Sequence, residues 1–218
     1  MRYRCLVLDH DDTVTDSTAH VHHPAFLAAM REMRPDVSMS LDEYFSMNFS
    51  PGIQSYFSDT LRLSDAELRR EYDIWQSFVR ARVPHVYPGM ARIIRRQTEQ
   101  GGSVCVVSHS VGKNILRDYR ENGLPAPALV YGWELPEAYR KPSPYALHEI
   151  MRTLSLAPED LLVVDDLKPG YDMARAAGVP FAAACWAHHV PSIVSFMQAN
   201  SDVYFSTPEA LEAYLFDS

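Results

Sequence analysis

Short apolar runs recur along this chain, and a helix-patterned segment follows almost every one. The runs occupy residues 5–8, 104–107, 129–130, 161–164, 181–184 and 203–205. Helix-like stretches fill residues 90–100, 112–122, 144–154, 170–177, 192–199 and 208–216. Runs such as Cys5-Leu6-Val7-Leu8 and Leu161-Leu162-Val163-Val164 show no apolar/polar alternation, the pattern of a strand buried on both faces. Strand followed by helix, repeated, predicts an α/β fold with a doubly wound parallel sheet. Gly101-Gly102, Gly123 and Gly178 stand where the helices should stop.

One stretch breaks the pattern. Residues 16–85 contain no convincing strand and read as helices over 24–33, 41–47, 52–61 and 64–82. Ser64 can cap the last of these, with Asp65 and Glu67 in its first turn. The expected organisation is a core of residues 1–15 and 86–218, interrupted after its first strand by a helical module of residues 16–85. A 218-residue chain that is 47% hydrophobic can supply a core large enough to fold alone.

Charge and cysteine usage narrow the class. The net charge is −8 and nothing suggests a basic face, so nucleic acid is not an expected partner. Lysine occurs only at positions 113, 141 and 168. No segment approaches the apolar length of a membrane span, and MRYRCLVLD is too short in apolar length for a signal peptide. Cys5, Cys105 and Cys185 lie in or beside apolar runs with no zinc-ligand spacing. Buried reduced thiols and a cytoplasmic location are expected.

Four strand ends carry the chemistry. Asp9 and Asp11 follow the first run in LDHDDTVTDS. A turn that bonds its own backbone would explain them, but two carboxylates at the carboxyl end of a strand also suit a hard divalent cation. Ser108 ends the second run in VCVVSHS. It is either a helix-cap serine or part of an anion cradle, with His109 and Ser110 presenting N–H groups to the same oxygens. Lys141 lies in YRKPSP, ahead of Pro142 and Pro144, which stiffen the backbone around it, with Arg140 as the alternative cation. Asp165 and Asp166 end the fourth run in LLVVDDLKPG, where they either cap the next helix or complete a metal site.

In that order, the four motifs resemble those of the haloacid dehalogenase superfamily, and the resemblance extends over nearly the whole chain. It includes Tyr87-Pro88-Gly89-Met90, similar to the family's re-entry from a helical cap into the core, and Asp166 followed by Gly170. The resemblance implies a Rossmann-like core with an inserted α-helical cap. It implies a Mg²⁺-dependent phosphatase of small phosphorylated metabolites, with Asp9 as the nucleophile that forms an aspartyl-phosphate. Asp11 would be general acid and then base, Ser108, His109 and Lys141 would hold the phosphoryl group, and Asp9, the Asp11 carbonyl and Asp166 would hold the metal, with Asp165 a further ligand or an outer partner. Relatives that displace halide usually lack the second aspartate, which places dehalogenation below phosphoryl transfer.

The cap resembles that of phosphoglycolate phosphatases and β-phosphoglucomutases, so a phosphomutase is the alternative function. A phospho-acceptor signalling module ranks lower, because receivers carry their acidic pair before the acceptor and lack a large cap. Three residues depart from the common pattern: His10 between the two aspartates, Asp12 where many relatives have glycine, and His109 after the motif serine. Asn48 to Ile53 corresponds to the cap loop that touches the leaving group in relatives, and His20, His22 and His23 read as a polar cap entrance rather than a metal cluster. Trp186, His188 and His189 follow a strand end, and the sequence assigns them no role.

Overall fold

The computed structural model describes residues 1–217. They form two compact units: Met1–Asp16 with the chain from His85 onward, and Ser17–Pro84.

The first unit is built on six strands: β1 (Cys5–Leu8), β4 (Ser103–Val107), β5 (Leu129–Tyr131), β6 (Leu161–Asp165), β7 (Phe181–Ala184) and β8 (Val203–Phe205). They lie in the order β5-β4-β1-β6-β7-β8, every neighbouring pair parallel. Between and after them run α5 (Pro88–Glu99), α6 (Gly112–Glu121), α7 (Tyr145–Leu154), α8 (Lys168–Ala177), α9 (Pro191–Asn200) and α10 (Pro208–Phe216). Successive strand side chains point to opposite faces. Leu6, Leu8, Val104, Val106, Leu162 and Val164 accordingly join the core that α5, α6 and α10 close, through residues such as Met90, Ile115 and Leu211. On the other face, α8 seats Tyr171 edge-on against Phe181, with ring centroids 5.5 Å apart. The core is thus the doubly wound α/β sheet that the alternation of apolar runs predicts.

Register sets the functional edge. Leu8 pairs with Val106 on one side and with Val164 on the other, so β4 and β6 run one residue past the end of β1 at the same sheet edge. The chain order reverses on either side of β1, and in open α/β sheets the crevice at such a switch point is where ligands bind.

A second, two-stranded sheet is absent from the sequence expectations. β2 (Thr15–Asp16) pairs antiparallel with β3 (His85–Val86), Asp16 opposite His85. Strands this short leave no period to read. They sit where the helical insertion leaves and rejoins the core.

The insertion contains α1 (His23–Met33), α2 (Leu41–Phe49), α3 (Ile53–Ser55) and α4 (Asp65–Ala81), with π-helical turns at Thr18–His22 and Tyr56–Thr60. Phe26, Met30, Tyr44, Phe57 and Ile74 form part of its own core. Ser40 with Glu43, and Ser64 with Glu67, make reciprocal capping boxes at α2 and α4. The single helix expected over 52–61 is instead a short α-turn followed by a π-turn, which carries Phe57 into the core. His22 Nδ1 accepts from Trp75 Nε1 at 2.9 Å and His23 Nε2 donates to the Met39 carbonyl at 2.8 Å, so these rings are tied within the unit. Among the described residues, no helix is long and apolar enough to cross a membrane.

Candidate active site

Asp9 follows β1, and its N–H donates to the Val164 carbonyl at 2.9 Å, which anchors the first residue past the strand to β6. The next residues fold back on themselves. The Asp12 N–H reaches the Thr15 carbonyl at 2.7 Å, and the Val14 and Thr15 N–H groups both donate to the His10 carbonyl at 3.0 Å. This tight loop needs a left-handed residue, and Asp12 supplies it at φ 61°. Aspartate tolerates that region better than most side chains, which accounts physically for its standing where many relatives have glycine.

Lys141 is the hub. Its Nζ donates to Asp9 Oδ1 at 2.6 Å and to Asp165 Oδ2 at 2.7 Å, with all three side chains almost fully buried. Burial alone would pull the lysine down; Asp165 and Asp9 outweigh it and hold the ammonium above its ordinary pKa. Asp165 Oδ1 also accepts the Leu167 N–H at 2.9 Å, so both its oxygens are engaged. Arg140 plays no part in this hub. Its guanidinium stacks 3.8 Å over the Trp133 ring, and its Nε donates to the Leu135 carbonyl at 2.7 Å.

Asp166 stands differently. It is buried, its Oδ1 accepts from Thr13 Oγ1 at 3.4 Å, and its Oδ2 has no hydrogen-bond partner. Burial, followed by the nearby Asp165, Asp12 and Asp9 carboxylates, raises its pKa well above the usual range. Carboxylate oxygens of Asp9, Asp165 and Asp166 lie within 4.8 Å of one another. A buried carboxylate oxygen without a donor, in an all-oxygen set that repels itself, fits a hard divalent cation.

Ser108 is buried at the end of β4, its N–H on the Tyr131 carbonyl at 3.0 Å. The Ser110 N–H, expected to face an anion, turns back onto Ser108 Oγ at 3.1 Å. The Ser110 hydroxyl instead donates to Asp11 Oδ2 at 2.6 Å, a contact invisible in the sequence. His109 Nε2 donates to the Lys141 carbonyl at 3.1 Å and so braces the lysine's loop. His10 engages a carboxylate outside the cluster: its Nε2 meets Asp118 Oδ2, on α6, at 3.1 Å. Cys5, Cys105 and Cys185 are buried free thiols.

The ends of β1, β4 and β6, with the loop ahead of α7, thus carry two aspartate pairs, a serine and a buried lysine in the order of a single hydrolase family. The family model described as haloacid dehalogenase-like hydrolase matches residues 6–184, and the chain belongs to this family. Among solved structures, a putative phosphoglycolate phosphatase from Lactobacillus delbrueckii subsp. bulgaricus superposes with a TM-score of 0.78 at 16% identity, covering 100% of both chains. A putative haloacid dehalogenase-like hydrolase from Bacteroides fragilis gives 0.78 at 20% identity, over 96% of this chain and 99% of that one. CbbY from Rhodobacter sphaeroides in complex with xylulose-(1,5)bisphosphate gives 0.71 at 18%, over 94% and 95%. No curated protein is significantly similar to the chain in sequence.

Proposed function

We propose that this hydrolase is a Mg²⁺-dependent phosphatase of small phosphorylated metabolites, acting through an aspartyl-phosphate on Asp9. The observation that carries the reading is the Lys141 bridge between Asp9 and Asp165, set beside an Asp166 oxygen that no protein group satisfies. A carboxylate is a weak nucleophile, so it must be positioned and its electrostatic surroundings balanced. Lys141 fixes one Asp9 oxygen and adds positive charge where phosphoryl oxygens gather.

Asp9 attacks phosphorus, and the bond from phosphorus to the leaving oxygen breaks. Asp11, held by Ser110 at 2.6 Å, gives a proton to that oxygen and later takes one from the water that hydrolyses the aspartyl-phosphate. Ser108 and Lys141 bind the transferring group, while His109 supports Lys141 from its carbonyl. Asp9, the Asp11 carbonyl and Asp166 would hold the divalent cation, which supplies charge neutralisation for a loose transition state. Asp165, which accepts from Lys141 and the Leu167 N–H, serves as the partner of Lys141 and keeps lone pairs for a further metal contact. In this reading the helical unit Ser17–Pro84 is the cap domain. A small phosphorylated metabolite agrees with the sugar bisphosphate held by the structurally similar CbbY.

The test is phosphate release from a panel of phosphomonoesters with Mg²⁺, run beside sugar-phosphate mutase assays. Asp9→Asn should abolish turnover. Full activity in that variant would refute the nucleophile, and sugar-phosphate isomerisation without phosphate release would make the protein a mutase.

A further inference from the structure

The loop after β7 brings a histidine to the metal-facing carboxylate. β7 lies beside β6 with Ala183 opposite Asp165, so the chain leaving β7 runs next to Asp166. His188 lies in that loop with its side chain buried, and its Nε2 stands 3.8 Å from Asp166 Oδ2. That distance makes an electrostatic contact rather than a hydrogen bond. The same loop is pinned by Trp186, whose Nε1 donates to the Thr13 carbonyl at 3.2 Å, while Thr13 Oγ1 reaches the other Asp166 oxygen.

We propose that His188 is a positioning residue that acts through Asp166 to set the protein's affinity for its divalent cation. Asp166 is flanked by Thr13 on Oδ1 and by His188 on Oδ2, which confines the rotation of its carboxylate. An ionised carboxylate oxygen has two lone-pair directions, so Oδ2 can face the ring on one and a cation on the other. An imidazole N–H directed at Oδ2 suits the place, because it polarises the carboxylate. Partners of this kind orient ligands and sustain their affinity even though they never touch the metal. The inference rests on the metal site of the proposed function, and it gives Asp166 a reason to hold a fixed pose while buried among like charges.

The experiment measures Mn²⁺ binding to the full chain from the paramagnetic resonance signal of free Mn²⁺, with Mg²⁺ as competitor. Circular dichroism of each metal-free variant checks folding. His188→Leu removes the donor and His188→Asn draws it back, whereas His188→Gln keeps an N–H near the position of Nε2. The leucine and asparagine variants should bind Mn²⁺ about 10–100-fold more weakly, and the glutamine variant should recover to within about threefold of wild type. A ring that merely fills space would not follow that donor order. Wild-type affinity in the leucine and asparagine variants, with binding lost in Asp166→Asn, would overturn the role of His188 alone. So would a glutamine variant as weak as leucine; if leucine does not fold, asparagine against glutamine decides. Unaltered binding in Asp166→Asn would overturn the metal site itself.

Discussion

Gly170 shows how tightly single atoms constrain the site. A Cβ built on it would lie 2.0 Å from Asp165 Oδ2 and 2.2 Å from its Cγ, so α8 approaches the carboxylate that holds Lys141 as closely as a glycine allows. Gly170→Ala should displace either the helix or the Asp165–Lys141 pair. Overpacking of this sort costs about 1–3 kcal/mol, so the midpoint of urea unfolding should fall and phosphate release with it. An unchanged midpoint would show that the site has slack that the distances deny. Gly170 is legible in the sequence as part of a motif, and so are Asp9, Ser108 and Asp166, which follow apolar runs, and Lys141, which precedes two prolines. The Ser110 hydroxyl on Asp11, the Thr13 hydroxyl on Asp166 and the approach of His188 are not. They depend on the backfolded loop around Asp12 and on the path of the chain after β7, and no local period encodes either.

Elements were readable where their length gave a pattern time to repeat. The strands of the large sheet are near-continuous apolar runs, and α5, α6 and α8 are each followed by a glycine break; Gly178 takes the left-handed conformation directly after α8. β2 and β3 are not legible in the sequence, because two residues carry no alternation. In the helical unit, α4 is defined at its start by side chains: Ser64 Oγ accepts the Glu67 N–H, and Glu67 Oε2 accepts the Ser64 N–H at 2.9 Å. Helix N-termini leave N–H groups without intrahelical partners, so the reciprocal pair satisfies two donors at once. Ser64→Ala should destabilise this unit by about 1 kcal/mol, with Ser64→Gly milder. Thermal unfolding followed by circular dichroism would measure it, and equal stability of Ser64→Ala and wild type would mean that the cap contributes nothing. The proposed catalytic residues lie outside this helix, so phosphate release at low temperature should be preserved.

At the scale of the molecule, the same buried carboxylates that suit a cation work against the metal-free fold. Burial, Asp165, Asp12 and Asp9 all raise Asp166, so the folded state holds its proton to higher pH than the unfolded chain does. The sign follows by linkage: this contribution is present below the ordinary value of 3.8 and is lost as pH rises through the raised one. Metal-free protein should therefore lose stability as pH rises from 3.8 through the raised value, and Asp166→Asn should flatten that decline and melt higher than wild type once that value is passed. Divalent cation reverses the ranking. A ligand at about 100 times its Kd that binds only the folded state adds about 2.7 kcal/mol, worth roughly 5–10 °C in a chain of this size. Mg²⁺ should thus raise the melting temperature of wild type at neutral pH, chelator should abolish the gain, and Asp166→Asn should show little of it. The crossing of the two variants on adding metal is the diagnostic feature, because a general salt effect would lift both alike. Equal Mg²⁺ shifts in wild type and Asp166→Asn would mean that the orphaned oxygen faces no cation, and that the carboxylate cluster at the sheet edge is held together by Lys141 alone.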